Sequence, residues 1–577
     1  MTVGDQLVGE TGLSRHTFIR YTALILALAF CIPAAAIAQN RLLDVMTDEL
    51  HREMNELKNE EYPPYFMSYS VSDVRQTTIS ASFGAITDSD ESDSRVLTVM
   101  VRVGDYQLDS THELRDQYSF NNQYSYVFVA LDDSGDALRT AMWLETNRRY
   151  REAVERYIKV RTNITIKVAE EDSSADFSAP PKLVTYSEPE TGSADMTVDR
   201  VLYEDKVKKY SALFLDNENI YGGSVSFTFT RERKYFVTSE GTTLTRNQTY
   251  ANFSVAGFIK SDDGMELPLY KNYFAFRPEN LPGDSVILDD ITAMVNKLKK
   301  LREAPVIEPY TGPAILSGRA AAVFFHEILG HRVEGHRQKS ESEGQTFKKY
   351  IGKKILPDHL EVIFDPTVKT YGDQDLIGYY RYDDEGVEAQ KVTVVESGVL
   401  KGFLMSRSPI ENFPQSNGHG RAQAGYYPVA RQSNLLARSS HPISDSELRK
   451  KLIGECKKQG KEFGLLFNDI QGGFTFTGRT MPNVFNLLPT EVYRIYTDGR
   501  PDELVRGGDL VGTPLVMFSM ITDAGETGGI FTGICGAESG GVPVSAISPS
   551  LLVLQVEVQK KSKSQERPPI LPRPDSP

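Results

Sequence analysis

The run from Ala320 to His331 (AAAVFFHEILGH) constrains this chain most: an apolar, helix-forming stretch that carries two imidazoles and a carboxylate into whatever core it joins. Such groups are costly to bury unless a partner satisfies them, and a Zn²⁺ would do so. In the familiar H-E-x-x-H pattern the histidines are four residues apart and share one helix face. Here the order is H-E-x-x-x-H, and five residues turn a regular helix through about 140°. Both rings reach one ion only if the helix is widened or broken between them, and Gly330 is the residue that would permit this. A helix carrying one core and one surface histidine, unrelated to each other, also fits the spacing. His336, a further five residues on, supplies a third imidazole and an alternative ligand. His112-Glu113 begins another H-E pair, but no second histidine follows it.

A buried helix of this kind needs a sizeable core around it. The chain has 577 residues, 40% hydrophobic and 25% charged, which is near the globular average and enough for two or more domains. Its net charge of −14 would repel a polyanion, and no basic patch stands apart to offset it, so nucleic acid is not an expected partner. Three cysteines, Cys31, Cys456 and Cys535, cannot build a disulfide framework. Arg15 and Arg20 precede an uncharged run from Ala23 to Ala38 that ends in Ala36-Ile37-Ala38, the order of a secretory signal peptide. Cleavage after Ala38 is expected, with export to the periplasm or the medium and no membrane attachment beyond that segment. The competing reading is an uncleaved anchor, for which the run is short against a span of about 20 residues. Cys31 would leave with the peptide. Export would also allow Cys456 and Cys535 to pair, although Cys456, in the charged run Glu455-Cys456-Lys457-Lys458, reads as a surface helix position.

Apolar residues at Leu42, Leu43, Met46, Leu50, Met54 and Leu57 predict an amphipathic helix to about Asn59. Strands are expected over Tyr65–Phe83, Val96–Tyr106 and Tyr124–Leu131, which are rich in Tyr, Val, Ser and Thr. A helix follows from about Asp136 to Val160, then an acidic loop from Glu170 to Thr191 and helical spacing between Val198 and Leu215. Strands resume from Ser224 through Phe276 with a hairpin at Asp262-Asp263-Gly264, and a helix from Leu288 to Leu301 closes this half. Beyond the Pro- and Gly-bearing segment Ala304–Gly312, short strands and Gly-rich turns are expected to about Val558.

Further motifs follow the histidine helix in order: Asp383-Asp384-Glu385-Gly386, Gly398–Phe403 (GVLKGF), Ser416–Arg421 (SNGHGR) and Gly533-Ile534-Cys535-Gly536. Together with H-E-x-x-x-H they resemble the TldD/PmbA family of metallopeptidases, strongly from about Gly312 to Val558 and in element order before it. The resemblance implies one Zn²⁺ per chain held by His326, His331 and Cys535, with the fourth position left for water. It implies that Glu327 is the general base, taking a proton from that water and passing it to the leaving amine. The substrates implied are peptides or unfolded polypeptide segments. The assembly implied is a homodimer, or a heterodimer with a family relative. The alternative is a non-catalytic peptide-binding or partner subunit of such a complex, against which the intact Glu327 argues. His336 is not a ligand in the family pattern and takes a supporting or surface place.

The glycine-rich loop from Gln415 to Tyr426 is either a solvated surface loop or a cleft wall, in which case Asn417, His419 and Arg421 contact substrate. Asp383, Asp384 and Glu385, directly before Gly386, read as a turn held by carboxylate to backbone hydrogen bonds rather than as a metal cluster. The fold expected is α+β, a two-domain TldD/PmbA-like architecture of mixed helices and mainly antiparallel sheets with the metal site in the C-terminal domain. Its divisions are a signal peptide at 1–38, an N-terminal domain for dimerisation and substrate access at 39–303, a metallopeptidase domain at 304–558 and a disordered Pro-rich tail at 559–577.

Overall fold

The computed structural model describes residues 34–114, 124–164, 173–189, 197–216, 219–340, 342–479 and 484–561. Most of the signal segment and most of the tail lie outside the described residues. The fold is α+β with mainly antiparallel sheets. Seven strands from the first half form one sheet: β1 (Pro64–Ser82), β2 (Ala85–Val103), β3 (Val127–Phe128), β4 (Thr185–Ser187), β5 (Ile220–Thr238), β6 (Thr243–Lys260) and β7 (Glu266–Ala275), in the order β3-β2-β1-β5-β6-β4 with β7 also on β6. Alternation accounts for the long pair β5 and β6: Val225, Phe227 and Phe229 on one, and Ala251, Phe253 and Val255 on the other, are all buried. Helices α3 (Arg200–Ala212) and α4 (Asp284–Glu303) supply Val207, Tyr210, Ile287, Ile291 and Leu298 to that core. Helices α1 (Ala34–Leu57) and α2 (Gly135–Asn163) cover the other part of the sheet, with Leu42, Met46, Leu50 and Met142 packed on Tyr69, Val71 and Val99.

Several expectations change here. Strand β2 starts at Ala85, eleven residues before the expected Val96, because the acidic stretch Asp88–Asp93 pairs with β1 throughout and keeps its carboxylates at the surface. Pairing and exposure override the weak strand propensity of Asp and Ser. The expected strand Tyr124–Leu131 shrinks to Val127–Phe128. The expected loop Glu170–Thr191 contains β4, which runs parallel to Thr243–Thr245. The hairpin at Asp262-Asp263-Gly264 is present, with Gly264 at φ 85°.

The second sheet has eleven strands: β8 (Tyr310–Leu316), β9 (Leu360–Phe364), β10 (Val392–Glu396), β11 (Val399–Leu400), β12 (Asn434–Ser439), β13 (Phe463–Thr475), β14 (Phe485–Tyr496), β15 (Glu503–Val505), β16 (Gly508–Gly512), β17 (Ile521–Ala537) and β18 (Gly540–Lys560). They are not uniformly short, as β13, β14, β17 and β18 have 13, 12, 17 and 21 residues. The last strand also reaches Lys560, two residues into the segment expected to be tail. Strand β8 pairs with both β13 and β18, so β8, β13, β14, β16 and β18 pair in a closed ring. Strand β17 pairs with β18 outside that ring.

Helix α5 (Gly318–Ile328) packs against β13, β17 and β18 with every residue but Arg319 buried, as its all-round apolar sequence requires. Ser317 caps it by accepting from the N–H of Ala320 at 3.2 Å. Its first turn touches backbone: a Cβ on Gly318 would lie 2.3 Å from the Gly529 nitrogen, and one on Gly529 would lie 2.2 Å from the Arg319 nitrogen. Helix α6 (Asp445–Lys458) places Cys456 fully buried beside Leu448 and Leu452, not at the surface as its charged neighbours suggest. Cys456 and Cys535 are both free thiols.

Candidate metal centre

Helix α5 ends at Ile328, and a 3₁₀ turn, Gly330–Val333, follows. The helix is therefore broken between the two histidines, and the change of winding turns both rings to one side, 5.3 Å apart. Gly330 contributes through its missing side chain rather than an unusual φ. A Cβ there would lie 1.9 Å from Oε1 of the fully buried Gln432. The Gln432 amide in turn donates to the His326 carbonyl at 3.2 Å, which satisfies a helix-terminal oxygen. Gly330→Ala should accordingly lower stability by about 1–3 kcal/mol and reduce bound metal. Unchanged melting temperature and metal content would show that Gln432 yields freely.

Strand β17 brings Cys535 to these rings across 204 residues of sequence. One ligand atom from each of His326, His331 and Cys535 lies within 4.8 Å of the others, and Cys535 Sγ is 3.4 Å from His331 Nε2. All three residues are buried. His331 Nδ1 faces Glu334 Oε2 at 3.3 Å, which leaves Nε2 free to ligate and fixes the ring. Glu334 is fully buried. It also takes Nε of Arg337 at 2.9 Å and lies 3.3 Å from Nε of Arg431. Burial pushes its carboxyl up, but His331, Arg337 and Arg431 more than reverse this and hold it at about 2.

Arg431 spans from Glu334 to the cysteine, donating to the Cys535 carbonyl at 2.6 Å and lying 3.3 Å from Sγ. Burial would raise the Cys535 thiol, yet the imidazoles of His331 and His326 hold it well below the ordinary thiol range. Two imidazoles and a thiolate, oriented by outer partners, are the donors that zinc takes, and the residues present fit that ion.

Glu327 lines the same cleft, of about 500 Å³, with His326, His331, Phe474, Phe531, Ile534 and Cys535. Its carboxylate is held by the N–H of Gly473, and burial raises it above the usual carboxylate range, partly offset by the two histidines. His336 lies apart from the three-residue cluster: its Nε2 pairs with Glu538, which also takes Arg337 at 2.8 Å.

Asn417, His419 and Arg421, expected at the substrate, face inward and are not among the described residues that line this cleft. Asn417 accepts from the Met405 N–H and donates to the Phe403 carbonyl. His419 is fully buried between Asn417 and Ser433, and burial depresses its imidazole to about 3. Arg421 donates to the carbonyls of Gln432 and Pro543. Their polar groups hold loop backbone together, while Ala422–Tyr426 further along the segment line a different cleft, beside Phe66, Phe236 and Arg407.

The Asp383 turn has the expected form, with its Oδ1 accepting from the N–H groups of Glu385 and Val387, and Gly386 at φ 76°. No local pattern signals the role of its neighbour. Asp384 is bonded to Lys234 of β5 and Arg246 of β6, and so clasps the second half of the chain to the first sheet.

Residues 309–560 match the family pattern described as the PmbA/TldA metallopeptidase C-terminal domain. The chain is 25% identical over 335 residues to a metalloprotease of Methanocaldococcus jannaschii, covering 57% of this chain and 68% of that one. It is 30% identical over 262 residues to a metalloprotease of Archaeoglobus fulgidus, covering 45% and 56%. It is 26% identical over 251 residues to a zinc metalloprotease TldD homolog of Saccharolobus solfataricus, covering 43% and 51%. The matched stretches thus span about half to two thirds of these relatives' own lengths. Two crystal structures share the fold: TldE from Thermococcus kodakarensis, with a TM-score of 0.57 at 12% identity over 89% of this chain and 100% of that one, and a Thermotoga maritima protein described as a modulator of a DNA gyrase, with 0.56 at 14% identity over 89% and 99%. The C-terminal part of the chain thus carries the PmbA/TldA metallopeptidase domain, and the fold is shared with these two structures along most of the chain's length.

Proposed function

We propose that this chain is an exported zinc metallopeptidase that hydrolyses peptides or unfolded polypeptide segments. The observation that carries this reading is the meeting of His326, His331 and Cys535 within 4.8 Å in a cleft that Glu327 also lines. Relatives named as metalloproteases support it. A Zn²⁺ bound there would supply Lewis acidity toward the scissile carbonyl and an attacking water. Glu327, fixed by the Gly473 amide, takes the water's proton and returns it to the leaving amine nitrogen. Glu334 and Arg431 do not touch substrate; they orient His331 and Cys535. The protein works as a homodimer or with a family relative, its first half serving assembly and substrate access.

Metal analysis with cleavage of a peptide library by the purified mature chain tests the proposal. Cys535→Ala should strip zinc to well below one equivalent, a loss on the order of several kcal/mol in metal affinity. Full occupancy in that variant would point to another third ligand. Export is checked separately: the mature N-terminus is expected at Gln39, and Met1 on protein recovered from the cytoplasm would contradict it.

A further inference from the structure

A thiolate gives an ion more electron density than an imidazole does, which weakens the Lewis acidity that cleavage of an amide draws on. What surrounds Cys535 Sγ therefore bears on more than its placement. Arg431 is fully buried, and every nitrogen of its guanidinium is committed. One terminal nitrogen donates to the Ser539 hydroxyl at 2.9 Å and to the Gly540 carbonyl at 3.0 Å. The other donates to the Cys535 carbonyl at 2.6 Å and to Sγ at 3.3 Å, while Nε is ion-paired with Glu334 at 3.3 Å. Four anchors besides the sulfur thus fix the guanidinium, so the N–H that meets Sγ is already in place. Glu334 has a second cation in Arg337, at 2.9 Å, and does not by itself use up the charge of Arg431. The next residue, Gln432, donates to the His326 carbonyl at 3.2 Å, so one dipeptide backs two of the three ligands.

We infer that Arg431 damps the electron donation of Cys535: its N–H, bonded to Sγ, draws charge from the thiolate, so that the site keeps Lewis acidity toward a carbonyl when an ion is bound. This rests on the metal centre proposed above and gives Arg431 a part in it beyond orienting Cys535. Hydrogen bonds to a ligating sulfur tune the metal it holds. In a dry interior a guanidinium supplies both such a bond and a poorly screened positive charge. Arg431 acts through Cys535 and is a positioning residue.

Cobalt(II) in place of zinc makes the sulfur visible, since a thiolate ligand adds a sulfur-to-cobalt charge-transfer band in the near ultraviolet. Cobalt-loaded Arg431→Lys and Arg431→Gln should show that band at longer wavelength than the wild type, because a thiolate relieved of its N–H gives up an electron more easily. Cobalt content should stay at the wild-type level, and in the zinc form kcat should fall by about tenfold or more at unchanged KM. A band that stays in place in both variants overturns the inference. So does loss of cobalt from them, which would leave Arg431 only a holder of the ligands. Arg431 is fully buried, so a second measurement uses the wild type and needs no substitution. In cadmium-113-loaded protein with nitrogen-15-labelled arginine, a guanidinium proton should couple to the metal through the N–H···Sγ bond, and absence of any such coupling also overturns the inference. The two readings fail differently. A wild type that takes up cobalt without the charge-transfer band, or takes up none, removes the three-ligand centre, whereas a fixed band in the variants removes only the part given to Arg431.

Discussion

Glu327→Gln is expected to lower peptide hydrolysis by about 10² to 10⁴ while zinc content stays at the wild-type level. The amide keeps the shape of the carboxylate but cannot accept the water's proton. Glu327 does not belong to the three-residue cluster, so its loss leaves His326, His331 and Cys535 in place. The Gly473 N–H that now bonds the carboxylate can bond the amide oxygen instead, which keeps the side chain positioned. Metal content and initial rates measured on one preparation decide the matter. Equal turnover in the variant would place the base elsewhere and remove the proposed mechanism, and a variant that loses zinc would make Glu327 a structural partner of the site.

Asp384→Ala should destabilise the protein by about 3–5 kcal/mol, the usual effect of leaving a buried charge without its counter-ion. Here two cations, Lys234 and Arg246, would be left, and the N–H of Ala422 would lose the acceptor it meets at 2.9 Å. Burial alone would raise the Asp384 carboxyl; Arg246 and Lys234 reverse this and hold it far below the ordinary range. A depressed carboxyl of this kind contributes stability above the unfolded value of about 3.9, and loses it only as pH falls toward the lower folded value. Denaturant unfolding at neutral pH, with Asp384→Asn as the milder comparison, measures the effect. An unmoved midpoint would mean that the clasp adds nothing.

How far the sequence disclosed this site depends on the distance over which each feature acts. The histidines and Glu327 stood out because they interrupt an apolar helix, and the five-residue spacing already demanded the break now seen after Ile328. Glu334 and Arg337 follow His331 at successive steps of three residues, the separation at which side chains meet on one helical face, so a local signal existed and was missed. Cys535 could be paired with the histidines only through resemblance, since no periodicity connects positions 204 residues apart. Arg431, Gln432 and Gly473 gave no local signal, as each meets the histidine helix or Cys535 only once the fold has brought distant segments together. The loop at Asn417, His419 and Arg421 was open to two readings because polar residues among glycines suit either solvent or a cleft wall, and the carbonyls they bond come from distant segments.

The placement of β17 sets what binding an ion would do mechanically. Members of the closed ring are held on two sides, whereas β17 pairs along its length with β18 and meets one further residue, Ile443, through a bridge at Gly525 near its start. Past that bridge its outer margin is held by the Arg431 side chain at the Cys535 carbonyl rather than by another strand, so its end is the part of this sheet best placed to fray, and Cys535 lies there. His326 and His331, by contrast, belong to a helix and turn sunk in the core. An ion shared by the three would rivet a peelable strand to an immovable post, so that loss of metal would register first as local amide exchange along Thr532–Ala537, well before the ring itself gave way.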